Sequence, residues 1–217
     1  MTDTAEALPT DGAELATYVA AKLCHDFVSP AGAIMSGLDL LNDPSAQDMR
    51  DDALGLITDS ATKLIALIHY CRVAFGAATT SERFTGEELK TLVANMIHGG
   101  RATMDWHVSE TDFAKPAARA LVNLAYLTAG ALPSGGVATL TSRRDGDWLI
   151  LTGLAEGNRA RLKPEAVVGL AGRRLTEGLT GQWVQPYWLW LNVHEAGGVL
   201  SVIAEEGRVA LEARIPL

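Results

Sequence analysis

The segment 23–30 holds the residues with the clearest chemical potential, and it reads Leu-Cys-His-Asp-Phe-Val-Ser-Pro. His25 is followed directly by a carboxylate, Asp26, and Pro30 stands five positions after the histidine. A neutral imidazole is a nucleophile, and a neighbouring carboxylate can fix its tautomer and make the attacking nitrogen more basic. These residue types at this spacing indicate a histidine that forms and breaks a covalent bond reversibly.

The element that must present His25 is a long helix, predicted from about Asp11 to Asn42. Its apolar residues recur at helical spacing and form one stripe. The members of this stripe are Ala16, Leu23, Phe27, Ala31, Ile34, Leu38 and Leu41. At about 100° per residue, His25 lies about 180° from Ile34 and about 160° from Leu23. When the stripe packs against other helices, the imidazole therefore faces solvent.

Small and polar side chains are predicted around this imidazole. Ser29, Gly32 and Ser36 lie within about 40° of His25 on the helical wheel, which leaves space for a phosphoryl donor to approach in line. Lys22 lies about 60° away, one turn earlier, where its ammonium could offset phosphoryl charge. We therefore expect supporting roles for Lys22 and Ser29 beside the nucleophile.

An exposed apolar strip is predicted on the same side of the helix as His25. It consists of Cys24, Val28 and Met35, which lie outside the main stripe. Exposed apolar surface beside a reactive group is typical of a docking surface. We expect this strip, together with Gly32 and Ser36, to contact a partner protein.

A second long helix follows the turn at 42–45, which reads Asn-Asp-Pro-Ser. Its apolar residues are spaced alternately by three and four, as in a helical bundle. They are Leu54, Ile57, Ala61, Leu64, Ile68, Cys71 and Phe75. Two such helices joined by a short turn form an antiparallel hairpin. A single hairpin cannot cover both stripes, whereas two copies can, so we expect a homodimeric four-helix bundle.

The rest of the chain predicts a separate α+β domain. A flexible tail is expected over 1–10, the helical hairpin over 11–77, a hinge over 76–81 and the second domain over 82–217. Helices are predicted over 86–97, 115–132 and 185–196, and β-hairpins over 137–142 with 148–154 and 199–204 with 209–215. Helices packed on antiparallel strands make a two-layer sandwich.

The composition excludes several functional classes. A net charge of −8 over 217 residues argues against a nucleic-acid surface. Cys24 and Cys71 are the two cysteines, too few for a disulfide framework, and no secretory signal or membrane span is evident, so a cytoplasmic protein is expected. The four histidines other than His25 have no metal-ligand spacing, so no metal is expected.

The 23–30 segment resembles the phosphoacceptor box of dimerising sensor histidine kinases, whose pattern is His-Asp/Glu-x-x-Ser/Thr-Pro. The match covers His25, Asp26, Ser29 and Pro30. The order of elements beyond the hinge resembles the ATP-binding domain of the same kinases. The resemblance implies that His25 carries a phosphoryl group.

The nucleotide-binding residues of those kinases are largely replaced in this chain. In the helix that should carry two asparagines, Asn123 remains, and Leu127 stands where the Mg²⁺-binding asparagine would be. Leu151–Ala155 occupies the expected position of the Asp-x-Gly-x-Gly box without its aspartate, and Gly181–Pro186 replaces the glycine-rich lid. The whole pattern resembles the ChpT-type histidine phosphotransferases, which use a kinase-like fold without binding ATP.

This resemblance implies a bacterial cell-cycle phosphorelay. His25 would accept phosphate from the receiver-domain aspartate of a hybrid histidine kinase and pass it to response-regulator receivers. Mg²⁺ would be held by the receiver, and no cofactor by this chain. Two alternatives stay open: an active histidine kinase with a divergent ATP site, and a non-catalytic dimeric adaptor that binds receivers.

Overall fold

The first helix of the hairpin has the predicted bounds. The computed structural model describes residues 11–76 and 83–217, so the predicted tail and all of the predicted hinge after Gly76 lie outside the described residues. Helix α1 spans Gly12–Asn42 and begins after Asp11, whose carboxylate accepts a hydrogen bond from the Ala13 N–H at 2.7 Å. This N-cap satisfies one of the helix's unpaired amide donors.

The turn after α1 is stabilised by Asp43. Its carboxylate accepts hydrogen bonds from the Ser45 hydroxyl at 2.7 Å and the Ser45 amide at 2.8 Å, which lowers the pKa of Asp43. A 3₁₀ turn at Gln47–Met49 leads into helix α2, Arg50–Ala74. These local contacts reverse the chain so that α2 packs antiparallel on α1.

The two helices approach closely at Gly37. A β-carbon placed there would lie 2.6 Å from Ile57 Cγ1 and 3.1 Å from the Ala53 carbonyl oxygen. Both distances are shorter than ordinary van der Waals contact, so a larger residue would push α2 away from α1. The glycine therefore sets the spacing of the hairpin.

The predicted apolar seam of α2 is mostly not the face that this chain buries. Within that seam Cys71 is buried, whereas Leu54 and Ile68 are 44% and 47% exposed. The buried face instead consists of Ala53, Ser60, Leu67, Tyr70, Cys71, Val73 and Ala74. The reason is that α2 packs against α1 on one side and against the second domain at its carboxyl end. Within the single chain, the seam stays partly open to solvent.

The second domain contains seven strands and four helices among the described residues. In chain order they are β1 Arg83–Thr85, α3 Gly86–Ile97, β2 Ala102–His107, β3 Asp112–Ala114, α4 Lys115–Gly130, β4 Gly136–Asp145, β5 Trp148–Glu156, α5 Pro164–Leu170, α6 Thr180–Glu195, β6 Val199–Glu205 and β7 Arg208–Pro216. The main sheet has the order β2-β4-β5-β7-β6, and β1 pairs with β3 separately. Strand β2 is parallel to β4, and the other neighbours are antiparallel. The predicted α+β class is confirmed.

Helix α4 is the centre of this domain's core. Ten of its residues are buried, and the helix lies against β4, β5 and β7 of the sheet. The buried residues of α4 and of the sheet belong to one cluster that also includes the end of α2. Helix α4 therefore connects the sheet to the end of α2.

Three side chains of the second domain bind the carboxyl end of α2. The Ala74 carbonyl accepts hydrogen bonds from Trp188 Nε1 at 2.7 Å and from Asn123 Nδ2 at 3.3 Å. The Gly76 carbonyl accepts one from Arg119. The last carbonyls of a helix lack partners within the helix, so these donors satisfy groups that would otherwise need water. They also hold the hairpin against the second domain.

The start of α1 also packs on the second domain. Leu15 is buried in a cluster with Trp183 and Tyr187 of α6. The Glu14 carboxylate accepts a hydrogen bond from Arg174 at 2.9 Å, across 160 residues of sequence. The hairpin is thus fixed at the amino end of α1 and at the carboxyl end of α2, and His25 lies on α1 between Leu15 and the turn.

Candidate active site around His25

His25 projects from the outer face of α1, as the helical wheel predicts. Its side chain is 89% exposed. Pro30 lies within the same helix and is buried. Because proline has no N–H, the Asp26 carbonyl lacks its usual helical donor one turn later. The imidazole is therefore open to a partner on a helix that is otherwise fixed by packing.

Asp26 connects His25 to Lys22. Its Oδ1 lies 3.3 Å from His25 Nδ1, and its Oδ2 lies 2.5 Å from Lys22 Nζ. An ionised carboxylate accepts hydrogen bonds and cannot donate them, so of the two neutral tautomers of the imidazole this contact favours the one with its proton on Nδ1. The lone pair is then left on Nε2, across the ring from Asp26. Nε2 is the nitrogen available for attack.

Lys22 is buried rather than exposed beside the imidazole. Its side chain is 9% exposed, and Nζ lies 5.7 Å from the centre of the Tyr126 ring on α4. The sequence predicts its position one turn before His25, but its ammonium is bound to Asp26 instead of being free in the approach path. The positive charge of Lys22 is therefore paired with the Asp26 carboxylate.

The small residues predicted near His25 all lie on the exposed face. Ser29, Gly32 and Ser36 are exposed, and a β-carbon placed on Gly32 would meet no atom within 4 Å. Nothing from the rest of the described chain therefore covers this part of α1. A partner can approach the imidazole along it without displacing a side chain.

The predicted apolar strip is also exposed. Val28 is 68% exposed, Met35 is 57% exposed, and Cys24 lies beside them on the surface. An exposed Met and Val on one helix face provide adaptable apolar area for a protein contact. The geometry thus places the strip where the sequence predicts it.

A cleft beside His25 combines the predicted residues Lys22 and Asp26 with others that the sequence reasoning missed. It has a volume of about 590 Å³ and lies between α1 and the second domain. Its lining includes Tyr18, Lys22, Asp26 and Tyr126, and the segment Leu179–Gln182 at the start of α6. The sequence identified residues 181–186 only as the replacement of the kinase lid, and that comparison gave no indication that the segment lies beside His25.

Asn123, the asparagine retained from the nucleotide-binding helix, is fully buried and bound to protein groups. Its Nδ2 donates to the carbonyls of Arg119 at 2.9 Å and Ala74 at 3.3 Å. Its Oδ1 accepts a hydrogen bond from Gln185 Nε2 at 3.2 Å, and the same amide nitrogen donates to Tyr70 Oη at 2.6 Å. The amide of Asn123 is therefore engaged in joining α2, α4 and α6.

The space beside Leu127 is small. A cavity of about 110 Å³ lies there, lined among others by Tyr126, Gly130 and Pro186. The segment expected to replace the lid forms the first turns of α6, which begins at Thr180 rather than near Gln185. Within it Trp183 is fully buried and stacks on Tyr187 with ring centres 4.5 Å apart. Aromatic packing fills this region.

The position predicted for the Asp-x-Gly-x-Gly box is wrong. Leu151–Ala155 lies inside β5 and pairs with both β4 and β7. The loop that follows the strand begins at Gly157, whose amide donates to the Gly207 carbonyl at 3.1 Å. Strand β5 extends past the predicted end at residue 154, because its last residues still pair with the start of β7.

Over residues 11–76 and 83–217, no group of three or more His, Cys, Asp or Glu side chains is arranged to hold a metal ion. His107 pairs with Asp105, Nε2 to Oδ2 at 2.9 Å, on the exposed side of β2. None of the helices in these ranges combines the length and hydrophobicity needed to cross a membrane.

The second domain matches the family described as "Histidine phosphotransferase C-terminal domain" over residues 86–208, more than half of the chain. The chain belongs to this family. A relative from Brucella abortus (strain 2308), protein phosphotransferase ChpT, is 27% identical over 205 residues, which cover 92% of this chain and 95% of the relative. Family membership supports a role in phosphotransfer.

Solved structures show the same architecture. A bacterial phosphotransferase solved at 1.7 Å superposes with a TM-score of 0.83 and 25% identity, covering 95% of this chain and 100% of that one. The histidine kinase domain of the blue-light activated kinase EL346 from Erythrobacter litoralis has a TM-score of 0.50 and 16% identity, covering 88% and 96%. The second similarity concerns the fold alone, a helical hairpin joined to a kinase-type α/β sandwich.

Proposed function

We propose that this chain is a phosphorelay intermediate in which His25 carries the phosphoryl group. It accepts the group from the phospho-aspartate of a hybrid-kinase receiver domain and passes it to the aspartate of a response-regulator receiver. The observation that carries the proposal is the exposed imidazole whose Nδ1 faces Asp26, since this leaves Nε2 as a free nucleophile on a rigid helix.

The transfer is balanced without any further reagent. The Nε2 lone pair forms the N–P bond while the acyl phosphate O–P bond breaks, and the aspartate carboxylate leaves with the electron pair. Asp26 stabilises the positive charge that develops on the ring. The reverse step regenerates neutral His25 and a phospho-aspartate on the second receiver. The receiver would hold the Mg²⁺ that offsets charge on the phosphoryl oxygens, so this chain would contribute mainly orientation.

Docking of the receiver uses the exposed surface around His25. Val28 and Met35 supply apolar area, and the absence of a side chain at Gly32 lets the partner backbone approach the helix. Ser29 and Ser36 add hydroxyl groups at the edge of this surface. A receiver that covers this surface excludes water from the reacting atoms, which limits loss of phosphate by hydrolysis.

The second domain does not act as an ATP-dependent kinase in this proposal. The buried hydrogen bonds of Asn123 support this, because the one asparagine retained from the two of the kinase helix already binds Gln185 and backbone carbonyls, and Leu127 stands at the Mg²⁺-binding position. The stacked pair Trp183 and Tyr187 supports it as well, since large rings occupy the turns where a phosphate lid needs close backbone approach. The second domain instead braces the hairpin.

A homodimer is the proposed assembly. In the single chain, large apolar side chains of the hairpin remain exposed, among them Leu38, Leu54, Ile65 and Ile68. A second copy of the hairpin would cover them in a four-helix bundle. We expect Leu54→Glu to convert a dimer to a monomer in light scattering at matched chain concentration. The control Gln47→Glu changes an exposed residue in the turn between α1 and α2, and it should leave the mass of the dimer unchanged. A wild-type protein that is monomeric would contradict the assembly.

The function is tested with radiolabelled phosphate. Purified protein is incubated with labelled ATP alone, and then with a receiver domain that its own kinase has loaded with label. We expect label on this chain only in the presence of the receiver, stable to base and released by acid. His25→Gln should abolish it. His69→Gln, which changes another exposed histidine on α2, should not.

The other outcomes identify the alternatives. Label from ATP alone would show an active kinase and contradict our account of Asn123. Binding of the receiver without label on the wild-type chain would show an adaptor. Equal labelling of the wild type and His25→Gln would place the phosphoryl group elsewhere.

A further inference from the structure

We propose that Tyr126, on α4 of the second domain, is a positioning residue for His25. This inference rests on the proposed function of His25. A continuous series of contacts leads from the second domain to the imidazole. The Tyr126 ring faces Lys22 Nζ at 5.7 Å, Lys22 binds Asp26 at 2.5 Å, and Asp26 lies 3.3 Å from His25 Nδ1.

The first contact matters because Lys22 is buried. An ammonium withdrawn from water needs compensation, and it receives it from one carboxylate oxygen and the face of one aromatic ring. Cation–π attraction is stronger when the cation is desolvated. Without the ring, the Lys22 ammonium would keep Asp26 as its one compensating contact and would face apolar surface where the ring had been. The lysine would then move toward solvent, and Asp26 would move with it.

The second contact explains how such a movement reaches the reacting nitrogen. The two oxygens of Asp26 are divided between Lys22 and His25, so the direction of one contact sets the direction of the other. If Asp26 rotates to follow Lys22, the imidazole loses the acceptor that holds its proton on Nδ1. A larger share of the molecules then carries the proton on Nε2, where it blocks attack.

Tyr126 is itself held by the core of the protein. Its ring lies 5.5 Å from the ring of Tyr70, measured between centres, and Tyr70 accepts a hydrogen bond from Gln185 at 2.6 Å. Burial raises the pKa of Tyr70 well above its usual value, so its hydroxyl stays protonated. The helix that resembles a nucleotide-binding element thus supplies a fixed ring to the phosphotransfer site.

Few charged or titratable side chains surround the contacts that lead from Tyr126 to His25. In the cleft beside His25, the other ionisable side chains from α1 are Tyr18, Lys22 and Asp26, and α4 contributes Tyr126. From α2, Tyr70 and Cys71 interact electrostatically with Asp26, and Cys71 also with Lys22; burial raises the pKa of both groups, so they are uncharged at neutral pH. The remaining polar residues contributed by the second domain are Thr180 and Gln182, which carry no charge. The nearby charges that act on His25 therefore come from Lys22 and Asp26, whose arrangement Tyr126 supports.

The test compares Tyr126→Leu, which removes the ring, with Tyr126→Phe, which keeps it. Trp148→Leu is the matched control, because it removes another cation–π contact of the same domain, with Arg214 at 5.5 Å. The first readout is the tautomer of His25, measured by ¹⁵N NMR about two pH units above the ordinary imidazole pKa of about 6.5. The second is the single-turnover transfer rate from a phosphorylated receiver at saturating and limiting concentrations.

We expect Tyr126→Leu to raise the Nε2-protonated fraction and to lower the saturating rate on the order of tenfold, without changing the half-saturating receiver concentration. Tyr126→Phe and Trp148→Leu should match the wild type in both readouts. In a Lys22→Met background, Tyr126→Leu should have no further effect, because the two residues act in series.

Three outcomes overturn the inference. They are an unchanged tautomer in Tyr126→Leu, an equal loss of rate in Trp148→Leu, and additive losses in the double variant. If the wild-type chain accepts no phosphate, the proposed function fails instead, while the tautomer measurement still decides the role of Tyr126.

Discussion

Two glycines of α1 provide a paired test of the helix that carries His25. Gly32 and Gly37 lie in the same helix, and each can be changed to alanine. A glycine in a helix interior is less favourable than alanine by about 0.5–1 kcal/mol. Because a β-carbon at Gly32 would meet no atom within 4 Å, Gly32→Ala should stabilise the protein by about this amount.

The same substitution at Gly37 should have the opposite sign. Its β-carbon would lie 2.6 Å from Ile57 Cγ1, a side-chain atom that can rotate, and 3.1 Å from the Ala53 carbonyl, which cannot. The helices must separate, and overpacking of this kind costs about 1–3 kcal/mol. After the gain in helix propensity is subtracted, we expect a net loss of about 1 kcal/mol. The two variants should therefore differ by about 2 kcal/mol.

The assay is urea denaturation followed by far-ultraviolet circular dichroism. All proteins are compared at one chain concentration, because association makes the free energy of unfolding depend on concentration. A Gly37→Ala protein as stable as Gly32→Ala would refute the close approach of α1 and α2. A destabilised Gly32→Ala protein would refute the openness of the surface beside His25. On the proposed function, Gly32→Ala should also transfer phosphate more slowly despite its higher stability.

Three further predictions concern the second domain and the cysteines. Asn123→Ala should lower the free energy of unfolding by about 2–3 kcal/mol in urea titration, because three buried hydrogen bonds are lost. Glu110→Gln should destabilise by about 1 kcal/mol at neutral pH, because it removes the carboxylate charge and one of the two hydrogen bonds that Glu110 accepts from Arg144 at 2.7 Å. That contact lowers the pKa of Glu110, so its contribution is present above the usual carboxyl range and lost as the pH falls through the lowered value. Cys24 is exposed and should react at once with a thiol reagent, whereas burial raises the pKa of Cys71 to about 11 and should delay its reaction until unfolding.

Each of these predictions has a contradicting result. Unchanged stability of Asn123→Ala would mean that its hydrogen bonds are replaced by water. A loss in Glu110→Gln that persists in strong acid would mean that packing, not charge, holds that contact; Glu156→Gln, at an exposed and looser ion pair, is the control. Simultaneous reaction of both thiols in the native protein would contradict the burial of Cys71.

The fold could be predicted well wherever a local signal determined it. The bounds of α1 followed from its apolar helical pattern and from the turn at 42–45. The structure adds the cap at Asp11 and the capping box of Thr85 and Glu88 at the start of α3. Strand β2 was not predicted, because its pairing with β4 is parallel and depends on residues more than 30 positions away. Helix α5 is seven residues long and too short for periodicity to show.

The sequence predicted only the part of the candidate site that lies on the exposed face of α1. The position of His25, the open surface at Gly32 and the contact of Asp26 follow from angles along one helix. The burial of Lys22 does not, because the ring that covers it comes from α4. Spacing within a single helix contains no information on which other element packs against it, so the cleft and Tyr126 needed the tertiary structure.

The contacts at the start of α1 have a consequence for the order of folding during synthesis. Leu15 emerges from the ribosome early, but Trp183 and Tyr187, which bury it, are made about 170 residues later. At about 5–20 residues per second, this leaves the amino end of the helix without its cover for about 10–30 seconds. Helix α1, which carries His25, is therefore made well before α6 and is among the last elements to reach its final packing. Chains that stop before α6 should expose Leu15, and limited proteolysis near the amino end should separate them from complete chains.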